Sequence, residues 1–147
     1  MVQSTAYEAV EPTREQIDAA QGPLVVEFGT PWCGHCRAAQ PLIGAALANR
    51  PTVRHIKIED GSGRRLGRSF RVKLWPTLVF MRDGKELARL VRPHDPDAIE
   101  DAFAKIEAYR EFQDLRARAC PTRAMTPATN KSTSVAGSGT SVAVTGT

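Results

Sequence analysis

The sequence predicts an α/β fold, a central mixed sheet with helices on both faces. Three observations lead there. Strand and helix signals alternate along residues 1–118. The run "LVVEF" (24–28) has the unbroken hydrophobicity of a strand buried on both sides. Two further strand-like runs, "PTLVFM" (76–81) and "ELARLV" (86–91), flank "RDGK", in which Asp83-Gly84 supplies a hairpin turn.

In chain order, "YEAV" (7–10) reads as a short edge strand. "TREQIDAAQG" (13–22) reads as a helix, with Thr13 as N-cap, Glu15 in the first turn and Gly22 as its stop. After the "LVVEF" strand comes a helix from about Cys33 to Ala48, with Leu42, Ile43, Ala46 and Leu47 on its buried side. Pro41 lies inside it and should kink it, because proline has no amide hydrogen for the preceding turn. "TVRHIKIE" (52–59) is a strand, and "GRRLGRSFRV" (63–72) is a short helix with Leu66 and Phe70 facing inward. The hairpin leads into a long amphipathic helix over 95–119, with Asp95 as N-cap and Pro96 at the first position. Ile99, Phe103, Ile106 and Tyr109 mark its apolar face. The expected order is therefore β-α-β-α-β-α-β-β-α.

Residues 1–119 form one domain in this reading. Residues 120–147 are rich in Ser, Thr, Ala and Gly with no aromatic residue, and predict a disordered tail. A length of 147 residues suits one domain with an appendage. No apolar run approaches the roughly 20 residues that span a bilayer, and "MVQSTAYEAVEPTREQ" has no signal-peptide pattern. The expectation is a monomeric cytoplasmic protein without a membrane partner. The net charge of +4 is only mildly basic. Arg64, Arg65, Arg68, Arg71 and Lys73 carry no interleaved aromatic residues, which argues against nucleic acid as a partner.

The chain has three cysteines, too few for a disulfide scaffold. Cys33 and Cys36 stand in "WCGHC", and Cys120 is left over at the root of the tail. The close pair can be a zinc half-site, a structural cystine or a redox couple. Zinc needs four ligands, and no second cysteine pair supplies them. His55 and His94 lie too far apart for a finger pattern, and the histidine of a haem attachment motif is replaced by Arg37. Neither a metal nor a cofactor is expected, and redox chemistry is the favoured reading. Cys33 at a helix N-terminus faces unsatisfied amide hydrogens and the positive end of the dipole, both of which favour a thiolate. The thiolate is the attacking species. Cys36, one turn further in, is expected to be shielded and to resolve the mixed disulfide.

Together, the element order, "WCGHC" opening a helix, Pro41 within it and "WPT" (75–77) opening a strand resemble the thioredoxin family over roughly residues 5–110. The Gly-His dipeptide and "VVEFGTPWCGHC" are closer to protein disulfide isomerase domains, including Glu27 where thioredoxins usually have aspartate. Trp75 before the proline and Arg92-Pro93 in place of a glycine turn depart from the family pattern. The resemblance implies a thioredoxin fold and a thiol–disulfide oxidoreductase. Its expected partners are protein disulfides and a recycling dithiol reductase or oxidase. The alternative is a redox-sensing binding module with little turnover. It is disfavoured because a pure adaptor needs no motif, buried acid and Pro-Thr loop together.

Glu27 is the only charge in "LVVEF". Desolvation makes a buried carboxylate a better proton acceptor, and the family places an acid here beneath the disulfide, linked to proton transfer at the second cysteine. The alternative is a strand-end glutamate reaching solvent. His35, when protonated, favours the Cys33 thiolate and so the reduced form; the alternative is an exposed loop histidine without effect. The resemblance implies a cis Pro76. Trp32 and Trp75 would then flank the cysteines as a platform for an extended substrate, with Thr77 and Arg92 beside them. A core role is the competing reading for Trp75.

Overall fold

The computed structural model describes residues 4–119. Expectations for the tail and Cys120 lie outside the described residues. The elements are α1 (Arg14–Asp18), β1 (Pro23–Gly29), α2 (Gly34–Ala48), β2 (Arg54–Glu59), α3 (Arg65–Ser69), β3 (Thr77–Arg82), β4 (Lys85–Val91) and α4 (Pro96–Ala119). The four strands form one sheet in the order β2-β1-β3-β4. β1 pairs with β2 in parallel, while β3 is antiparallel to both β1 and β4. The expected mixed sheet is present.

The N-terminal strand is a correction. Tyr7 makes only an isolated parallel bridge to Lys57, backed by the Glu8 amide donating to the Lys57 carbonyl at 2.8 Å. Pro12 and the capping of α1 follow closely, which leaves no length for a strand. Thr13 caps α1 as expected, and Gln16 completes a capping box by reaching back to the Thr13 amide. The hairpin turn has Asp83 at φ 49° and Gly84 at φ 77°, the two positive angles of a type I′ turn that an Asp-Gly pair tolerates. A Cβ at Gly84 would also collide with the Asp18 carbonyl, so this glycine admits a close approach between hairpin and α1.

Because successive strand residues face opposite ways, β1 serves two cores. Leu24, Val26 and Phe28 pack with Ile17 of α1, Leu66 of α3 and Phe70 on one face. Val25 packs on the other with Ile43 and Leu47 of α2, Leu78 and Phe80 of β3, and Ile99, Phe103 and Ile106 of α4. Helices therefore cover both faces. Glu27 shares the Val25 face by the same alternation and lies under α2. Leu42 and Tyr109, expected in the core, are only half-buried, and α4 is exposed from Arg110 to its end. α2 runs unbroken through Pro41.

Candidate active site

The site forms where β1 ends and α2 begins. Cys33 is the N-cap of α2, and its sulfur accepts the Cys36 amide N–H at 3.2 Å. Ser, Thr, Asp and Asn usually fill that role with oxygen; here a thiol does, so a backbone donor of the helix points at the sulfur. Both cysteines are free thiols. The expected contrast in exposure is small, since Cys33 is 8% exposed and Cys36 2%. What separates them is environment. Burial pushes the Cys36 thiol up to about 12 from an ordinary 9.0; the hydrogen bond to the Cys33 sulfur and the charges of Cys33 and Glu27 act the same way, and the Thr30 backbone opposes them.

Glu27 is fully buried, so the alternative of a strand-end glutamate reaching solvent is excluded. Its Oε1 accepts from Gln40 Nε2 at 2.6 Å, and its Oε2 lies 3.0 Å from His55 Nε2. Gln40 also donates to the Cys36 carbonyl at 3.1 Å and accepts from Lys57 Nζ at 3.2 Å. A continuous set of polar contacts thus lies below the second cysteine, running from Lys57 through Gln40 and Glu27 to His55. Unpaired, a buried carboxylate would be costly; here both oxygens have partners.

Around the sulfurs, Trp32 is 70% exposed and meets the half-buried Trp75 edge-on, with ring centroids 5.6 Å apart. Trp75 donates its indole N–H to Asp60 at 2.8 Å, and the Trp75–Pro76 bond is cis. Thr77 is buried, its hydroxyl donating to the Leu74 carbonyl at 2.7 Å. Arg92 holds φ 51° and binds the same loop, its amide donating to Pro76 O at 2.8 Å and its Nε to Trp75 O at 3.0 Å. Thr77 and Arg92 therefore brace the proline loop. His35 is exposed on the first turn of α2, at one end of a groove of about 590 Å³ that reaches Leu42, Val91, Arg92 and His94.

Sequence reasoning missed Tyr7, Gln40, His55 and Lys57 as site residues. A signal existed for two of them: alternation puts His55 and Lys57 on one face of β2, the neighbour of the strand that carries Glu27. Gln40 follows from Cys36 at helical spacing, one turn on. Nothing local marks Tyr7.

A dithiol at a helix N-terminus, with a buried acid beneath and a cis-proline loop beside it, defines a thiol–disulfide oxidoreductase. The thioredoxin family model matches residues 5–105, and the chain belongs to the thioredoxin family. It is 33% identical over 86 residues to a thioredoxin of Chlamydia trachomatis, covering 58% of this chain and 84% of that one. It is 37% identical over 78 residues to protein disulfide-isomerase of Gallus gallus, covering 50% of this chain and 15% of the isomerase. Among solved structures, thioredoxin 2 of Pseudomonas aeruginosa in its reduced form superposes with a TM-score of 0.65 at 54% identity, over 72% of this chain and 99% of that one.

Proposed function

We propose that Cys33 is the attacking thiol and Cys36 the resolving thiol in exchange with protein disulfides. The observation that carries this is the unequal setting of the two sulfurs. Cys33 Sγ receives a backbone N–H at the start of α2, whereas burial holds the proton on Cys36. A Cys33 thiolate attacks one sulfur of the substrate disulfide, forming a mixed disulfide and releasing the other sulfur as a thiolate. Cys36 then gives up its proton and attacks Cys33 Sγ. The bond from Cys33 to the substrate breaks, the second substrate sulfur leaves with the electron pair, and Cys33–Cys36 is oxidised. We assign the Cys36 proton to Glu27, fully buried below it and tied to its backbone through Gln40.

Trp32, Trp75 and Pro76 form the platform for an extended substrate segment, with Thr77 and Arg92 holding the loop in shape. His35 supplies a positive charge beside the pair when protonated. Electrons pass either way through such a couple, so a dithiol reductase or an oxidase recycles it. We place the protein in the cytoplasm as a monomer, where thiols are kept reduced; cell fractionation and sedimentation of the native protein check both assignments. Insulin reduction by dithiothreitol tests the activity itself. The wild type should accelerate it and the double variant Cys33→Ser/Cys36→Ser should not; a wild type no faster than dithiothreitol alone would contradict the reading.

A further inference from the structure

We propose that Tyr7 is a further catalytic residue, whose phenol hydroxyl donates a hydrogen bond to the Cys36 sulfur as that sulfur takes up negative charge. The inference rests on the resolving role of Cys36 given above.

The geometry starts at Gly29, the last residue of β1. A Cβ built there would lie 2.6 Å from Cys36 Sγ and 3.1 Å from Tyr7 Oη. Both atoms therefore lie against the bare Cα of one glycine, the hydroxyl on the same side as the sulfur. Any side chain at position 29 would crowd both. Tyr7 is held there from two sides. Its backbone bridges Lys57 at the open edge of β2, and the Lys57 ammonium lies 4.8 Å from its ring centroid. That attraction fixes the ring and joins Tyr7 to the Lys57–Gln40–Glu27 set.

The chemistry calls for such a donor. When Cys36 resolves the mixed disulfide, its S–H bond breaks, the proton passes to the base, and the sulfur carries a full charge until the bond to Cys33 forms. Burial works against that thiolate, even once Glu27 has taken up the proton. Among the groups around it, the Thr30 backbone favours the thiolate, and Tyr7 supplies a second donor. Burial first, then the charges of Cys36, Glu27 and Cys33, drive the Tyr7 hydroxyl well above the ordinary range for a phenol, so it keeps its proton and remains a donor. The hydroxyl exchanges no proton overall. In the reverse direction the same contact makes Cys36 a better leaving group, because a stabilised thiolate leaves faster. A cavity of about 240 Å³, lined by Tyr7, Thr30, Cys36, Gln40 and Lys57 among others, adjoins the sulfur on this side.

Tyr7→Phe removes the hydroxyl and keeps the ring over which Lys57 sits. Two rates and one titration test the proposal. Formation of the mixed disulfide is timed in the Cys36→Ser background, with and without Tyr7→Phe, and should change by less than about twofold. Resolution, timed as release of reduced substrate by the protein with both cysteines, should slow about tenfold or more in Tyr7→Phe, the scale of a lost hydrogen bond to a charged group. In the Cys33→Ser background, the Cys36 thiolate absorbance should rise at higher pH in Tyr7→Phe than without it. Resolution at the wild-type rate with an unmoved thiolate titration overturns the role of Tyr7 alone. Equal slowing of both steps overturns it too, as the mark of a merely structural tyrosine. Failure of Cys36→Ser to trap any mixed disulfide overturns the resolving role of Cys36 and the Tyr7 proposal together.

Discussion

His35 is the one residue with a side chain between the two cysteines, and the proposed function makes it the residue that tunes their potential. It is exposed on the first turn of α2, where in the proposed function an imidazolium would favour a Cys33 thiolate, a species of the reduced form alone. His35→Pro removes that charge and should make the couple more reducing by tens of millivolts, on the scale of about 30 mV for each tenfold change in the exchange constant. Equilibration against a glutathione redox series reads the shift; an unchanged or more oxidising potential would show that other residues tune the couple. Glu27→Gln keeps the shape of the side chain between Gln40 and His55 and removes the base. Turnover should slow near neutral pH, and superimposable pH–rate profiles of wild type and variant would reduce Glu27 to a structural role. Cys36 links the site to stability. Its thiol ionises near 9.0 when unperturbed and is pushed up to about 12 in the fold. Between those two values the native state binds more protons than the unfolded chain, so stability falls as pH rises. The contribution is complete below the lower value and lost on passing the upper one. The urea midpoint of the reduced wild type should therefore drop faster across this window than that of Cys36→Ser, and parallel curves would contradict the assignment.

At the scale of elements, what acts within a turn of chain was legible in the sequence. Thr13 caps α1, Pro96 opens α4, and Asp83-Gly84 closes the hairpin as the local chemistry of those residues requires. Cys33 at the head of α2 belongs to the same class, since a helix N-terminus and its dipole are properties of neighbouring residues. Where docking on a distant partner sets the extent of an element, that extent was not legible. "YEAV" has strand-like composition, yet only Tyr7 finds a partner on β2. The sequence marks the apolar face of α4 as far as Tyr109, whereas full burial stops at Ile106, and Phe112 and Leu115 beyond it are largely exposed. Phe103 anchors α4 to the sheet, edge-on to Phe80 at 5.1 Å with the Arg50 guanidinium 4.5 Å from its centroid. Phe103→Ala should cost about 3–5 kcal/mol, the range for emptying a buried aromatic site. Urea unfolding measures it as a lower midpoint, and a loss below about 1 kcal/mol would mean that α4 contributes little to the core.

For the whole molecule, the sheet and its helices bring together residues far apart in the chain: Tyr7, Glu27, Cys33, Cys36, Lys57 and Trp75. The cysteine pair and the proline loop were readable because each is a contiguous motif. The contact of Glu27 with His55, and the approach of Tyr7 to Cys36, depend on how β2 sits against β1 and on where the N-terminal segment docks. Alternation gives the face of His55 but not its partner, and no spacing rule encodes the place of Tyr7. The burial of Cys33 was likewise out of reach, because it is set by the surrounding fold and not by the motif. The central claim is that this assembled site makes two neighbouring thiols unequal, one to attack and one to resolve. Incubating Cys33→Ser and Cys36→Ser separately with oxidised insulin, then measuring the intact mass of the products without reductant, tests it most directly. Cys36→Ser should accumulate a mixed disulfide through Cys33 approaching one adduct per protein, while Cys33→Ser should accumulate almost none. Equal adducts, or equal residual turnover in the two variants, would contradict the division of labour.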